Sequence, residues 1–132
     1  MKNFIKAQAG FTLIEMMIVV AIIAILTAVA IPKFNESLAM TNTARVQADL
    51  QSLDTAIAMY RVQNNGRKPA SMQDLNDFID IDKLEAPGGD VYINGTLTPN
   101  ENNETYALAG DKNSATFMGK ARSEFGHKQT SN

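Results

Sequence analysis

The run from Phe11 to Ile31, FTLIEMMIVVAIIAILTAVAI, holds a single formal charge, Glu15. As an α-helix it rises about 32 Å, close to the hydrocarbon thickness of a bilayer. A helix lying on a soluble core keeps a polar face, and this run has none after Glu15. It is therefore read as a membrane span. The preceding segment, MKNFIKAQAG, carries Lys2 and Lys6 and no acid, which places the amino terminus in the cytoplasm by the positive-inside rule. Lys33 on the far side weakens that asymmetry only slightly.

The rest of the chain bounds the function. Its 132 residues allow one modest domain beside the span. The formal charge of −2 provides no global basic field for nucleic acid. There is no cysteine, so disulfides and thiolate metal sites are excluded, while the redox compartment stays open. With one histidine, His127, in a polar stretch, no nucleophile–base–orienter set can be assembled, and no enzymatic activity is expected.

Glu15 discriminates among the kinds of span. A secretory signal cut after Ala28-Val29-Ala30, or an uncleaved signal anchor, would account for the apolar length but not for an acid within it. At a helix centre such an acid costs about 2.5–3.5 kcal/mol on insertion scales, and less near the interface. One account is local: Thr12-Leu13-Ile14-Glu15 has capping-box spacing, and negative charge is favourable near a helix amino terminus. The other is functional, because ionisable residues within spans usually have a partner. The two are compatible. Pro32 ends the run and would bend, interrupt or close a helix there.

Gly10-Phe11-Thr12-Leu13-Ile14-Glu15, with the basic leader before it and the span and Pro32 after it, closely resembles the class III signal of type IV pilins and pseudopilins. The resemblance is strongest over residues 1–34. It implies cleavage between Gly10 and Phe11 by a prepilin peptidase and methylation of the new Phe11 amino group. It also implies a role for Glu15 in assembly, by pairing with the amino terminus of a neighbouring subunit, and makes Pro32 a pivot. The implied partners are identical subunits in a helical filament, the membrane before assembly, and an inner-membrane platform with its ATPase. The protein would start in the bacterial cytoplasmic membrane, single-pass, leader inside and head outside. It would end in a surface pilus for adhesion or competence, or in a periplasmic pseudopilus of type II secretion. A signal-anchored binding or sensor protein is the alternative from another class.

After Pro32, Val46, Leu50, Leu53, Ile57 and Tyr60 recur at helical steps, with Gln47, Asp49, Gln51, Asp54 and Arg61 on other faces. An amphipathic helix from about residue 33 to 63 is expected, ended by Asn64-Asn65-Gly66. Leu53 to Tyr60, followed by Asn65-Gly66 and Pro69, resembles the helix end and loop of major pseudopilins, a pattern several pilins share. Ser71-Met72-Gln73-Asp74 resembles a helix cap. Asn94-Gly95 between Val91–Ile93 and Thr96–Thr98 signals a hairpin. Two further strands are expected over 105–109 and 115–118. The expected fold is pilin-like α+β: a long amino-terminal α-helix, half membrane and half amphipathic, packed on a small antiparallel β-sheet. Its segments are a leader (1–10), an assembly helix (11–31), the amphipathic continuation (32–65), a head (66–118) and a polar tail (119–132).

Other candidate sites have simpler explanations. Asp74, Asp77, Asp80, Asp82 and Glu85 lack the glycine and terminal Glu of an EF-hand loop. Major pseudopilins bind calcium in a carboxy-terminal loop, for which Asp90, Glu101 and Glu104 are the nearest candidates, without a matching spacing. Lys112, Lys120, Arg122 and Lys128 make the carboxy-terminal end locally basic. DNA contact would need such charge, but a solubilising tail explains it as well.

Overall fold

The computed structural model describes residues 10–126. Residues 1–9 of the expected leader, His127 and Lys128 lie outside the described residues. The chain divides into two units, Met1–Asn35 and Glu36–Asn132. One helix, α1 (Leu13–Gln63), contributes to both. Pro32 lies inside it, so the helix neither ends nor melts there. The missing N–H costs the bond to the Ala28 carbonyl, and the continuous helical turns on each side carry the helix through.

In the head, α1 buries the expected stripe. Val46, Leu50, Leu53 and Ile57 are inaccessible or nearly so, with Ala39, Thr43 and Ala56 beside them. Tyr60 is half-buried and meets Phe78 edge-on at 6.4 Å. The helix ends where expected: Asn65 (φ 54°) and Gly66 (φ 83°) are left-handed, and the Gly66 N–H reaches the Arg61 carbonyl at 2.7 Å.

The strands differ from the expected single sheet. β1 (Val91–Ile93) pairs antiparallel with β2 (Thr96–Thr98), and β3 (Tyr106–Leu108) with β4 (Ala115–Phe117), forming two separate two-stranded sheets. Asn94 (φ 50°) and Gly95 (φ 79°) make the left-handed turn their sequence signals. A further turn, Met118-Gly119, is also left-handed, and Phe117 and Lys120 exchange backbone bonds across it at 3.0 and 2.9 Å. The Ser71 cap leads not into an α-helix but into a single 3-10 turn, Met72–Leu75. The Asp74 carboxylate accepts the Ala70 and Ser71 N–H groups at 2.7 and 3.1 Å, capping that turn.

Because hairpins this short are not stable alone, each is tied to α1. The Thr43 hydroxyl accepts the Tyr92 N–H at 2.7 Å. The Asp54 carboxylate accepts the Ala115 N–H at 2.7 Å. The Tyr106 hydroxyl donates to Asp49 at 2.6 Å, and burial first, then that carboxylate, holds the phenol protonated well above its usual range. The head also extends past the expected boundary at residue 118. Phe125 is 4% exposed and belongs to the core with Phe117 and Tyr106. Its backbone bridges Ile93, and its carbonyl accepts the Gln47 side chain. Residues 119–126 are thus part of the head rather than of a polar tail. In the sequence Phe125 is a lone aromatic among Lys, Arg and Ser, with no periodic pattern to mark it as core.

Candidate functional site

The candidate site is the start of α1. Thr12 precedes its first residue, Leu13, and carries the cap. The Thr12 N–H donates to Glu15 Oε2 at 2.7 Å, and the Thr12 hydroxyl donates to the same oxygen at 3.0 Å. In return the Glu15 N–H donates to Thr12 Oγ1 at 3.2 Å. This is the reciprocal capping box that the T-x-x-E spacing predicts. It satisfies amino-terminal N–H groups that a helix otherwise leaves without partners. An ionised carboxylate accepts more than two donors, so Glu15 retains capacity after capping Thr12.

Gly10 and Phe11 lie just outside the helix, and Phe11 is 83% exposed. A Cβ built on Gly10 would meet nothing within 4 Å, so packing in the subunit does not require glycine there. From Phe11 to Asn35 every residue is exposed, including Ile14, Met17, Val20, Ile23 and Leu26. Among the described residues, α1 is the one helix long and apolar enough to cross a membrane. Exposed apolar surface of this extent demands lipid or protein neighbours. Thr27, the one polar residue between Glu15 and Pro32, turns its hydroxyl back onto the Ile23 carbonyl at 2.7 Å and so presents no unsatisfied group.

The other candidates are not drawn into a site. Among the described residues no three acidic or histidine side chains are placed to hold a metal ion, so Asp90, Glu101 and Glu104 do not converge on one. Among the carboxy-terminal basic residues, Lys112 lies apart from Lys120 and Arg122. Lys112 reaches the Ala70 carbonyl at 2.9 Å, Lys120 pairs with Glu124 at 3.2 Å, and Arg122 faces Gln51 at 3.4 Å. The side chains that anchor the hairpins, Asp49, Asp54 and Gln47, show in the sequence only as the polar face of α1. Spacing along one helix has no signal for a partner more than fifty residues away.

A family model described as the prokaryotic N-terminal methylation motif matches residues 5–31. Fimbrial protein Q of Moraxella bovis is 32% identical over 119 residues, covering 90% of this chain and 74% of the relative. The type IV major fimbrial protein FimA of Dichelobacter nodosus is 38% identical over 116 residues, covering 83% and 72%. Competence protein ComGC of Halalkalibacterium halodurans is 34% identical over 89 residues, covering 67% and 86%. No solved structure matches the chain. Relatives this similar run through both α1 and the head, and the methylation motif falls on the exposed cap and span. The chain belongs to the type IV pilin family, as a structural subunit.

Proposed function

We propose that prepilin peptidase cuts this chain between Gly10 and Phe11 and that the Phe11 amine is then methylated. The subunit waits in the cytoplasmic membrane with its head outside until the platform and its ATPase feed it into a pilus. The carrying observation is the coincidence of the methylation motif with a capped helix whose apolar surface is exposed from Phe11 onward. Moving that surface from lipid into a bundle of identical helices exchanges one apolar environment for another. Specificity must therefore come from packing and from the few polar groups present. An α-amine at Phe11, with a pKa near 8, would be largely protonated at neutral pH, as the pairing with Glu15 requires. An unpaired carboxylate among apolar helices is costly, so pairing with a neighbour's amine favours one axial register over slipped ones. Pro32, with no N–H for the Ala28 carbonyl, is the weakest point of the helix and the place for it to adjust during assembly. The fimbrial and competence relatives favour a pilus over a secretion pseudopilus.

Glu15→Gln separates the two roles of this side chain. Glutamine serves a capping box as glutamate does, but carries no charge. The variant is expected to insert and be cleaved normally while filament yield collapses. Wild-type filament yield from Glu15→Gln would reduce Glu15 to a helix cap.

A further inference from the structure

The head carries its charge unevenly along α1. At the end where the helix stops, Arg61 and Arg67 are exposed on its last turn and on the turn after it. Lys68 reaches the Asp111 carbonyl at 3.0 Å and Lys112 reaches Ala70, gathering four cations at this end. Asp74 and Asp111 offset part of that charge, each held below the usual carboxylate range, mainly by backbone N–H groups.

The opposite end of the head is acidic. Asn42 and Arg45 of α1 hold the Asp90 and Glu85 carbonyls at 3.1 and 2.7 Å. Buried Asn100 bonds the Pro87 carbonyl and the Glu104 N–H, each at 2.9 Å, and so fixes the loop bearing Glu101 and Glu104 beside them. Arg45 offsets part of this charge and lies 3.8 Å from Asp49.

From residue 45 to residue 61 the helix rises about 24 Å, roughly three Debye lengths at physiological salt. The two ends therefore do not neutralise each other within one subunit, and their fields reach outward. Surface charge that served only solubility would work as well with the signs mixed. An open filament of identical subunits is built from heterologous contacts, in which one patch meets a different patch on the next copy. A head basic at one end and acidic at the other is complementary to a copy of itself displaced along α1. Two like ends repel.

We propose that the Arg61–Arg67 end of one head docks against the Glu101–Glu104 end of a second copy, adding a second constraint on the axial step beside that of Glu15. This rests on the filament role proposed above. The test uses the full-length chain in piliated cells, with sheared filament yield as the readout. Three variants are compared with wild type: Arg61→Glu with Arg67→Glu, Glu101→Arg with Glu104→Arg, and all four substitutions together. Each double reversal places like charges against each other and is expected to lower yield by about tenfold or more, while the fourfold swap restores it. Head folding is checked in every variant by its tyrosine signal. Double reversals that assemble like wild type would overturn the proposal. So would a folded fourfold swap that stays defective. Absence of filaments from wild type would instead refute the filament role itself.

Discussion

Asp54 is the clearest single test of how the head is held together. Its carboxylate accepts the N–H of Ala115, the first residue of β4, across 61 positions of sequence at 2.7 Å. Ala115 is completely buried, so its amide has no recourse to water. A hydrogen bond to a charged acceptor is worth about 1.5–3 kcal/mol, and an amide left without a partner costs about 1–3 kcal/mol. Asp54→Ala should destabilise the head by about 2 kcal/mol, and Asp54→Asn, which keeps a carbonyl acceptor, by about half of that. In a head of this size, about 2 kcal/mol corresponds to a fall in thermal midpoint of roughly 8–16 °C. The assay suits the chain: it has no tryptophan, and its three tyrosines, Tyr60, Tyr92 and Tyr106, all lie in the head. Tyrosine near-ultraviolet signal of the full-length protein in detergent therefore follows the head while the apolar helix stays formed. Amide hydrogen exchange at Ala115 should accelerate in parallel. An Asp54→Ala head that melts with the wild type, or an Asn variant as damaged as the Ala variant, would refute the reasoning.

Gly66 offers a backbone test. It sits at φ 83° with nothing within 4 Å of an added Cβ, so Gly66→Ala should cost about 1 kcal/mol through conformation alone, read as a lower urea midpoint. Acid should destabilise the head through Asp74, Asp111 and Glu124, each held low chiefly by backbone N–H groups at Ser71, Asn113 and Ala121 respectively. Since the folded values are depressed, the stabilisation is present above the unfolded values near 4 and is lost as pH falls through the folded ones. The urea midpoint should be flat between about pH 7 and pH 5 and decline below about pH 4. A midpoint constant to pH 3 would contradict those contacts.

Where short-range rules decide the structure, it is legible in the chain. Thr12 and Glu15 are three residues apart and form the box their spacing implies. Asn94-Gly95 and Asn65-Gly66 adopt left-handed backbone because Asn and Gly tolerate it. The apolar stripe from Val46 to Ile57 is buried as its period requires. What escaped reading depends on distant partners. Phe125 looks like part of a solvated tail until Ile93 and Gln47 meet it, and Met118 is a residue no turn rule would place at φ 52°. The split into two hairpins, each tied to α1 through Thr43 or through Asp49 and Asp54, likewise has no short-range signal. Pro32 is a different case. Its local cost is real, but two long flanking stretches of helix outweigh it. For Glu15, the helix cap is written in the sequence, whereas its partner in a filament belongs to another copy of the chain.

The most direct measurement is mass spectrometry of filaments sheared from cells that express this chain. The account predicts that this protein is present in them with Phe11 as its first residue and one methyl group on its α-amine. A chain that retains Met1, one that begins at Ile31 after cleavage behind Ala30, or filaments that do not contain this protein would contradict it.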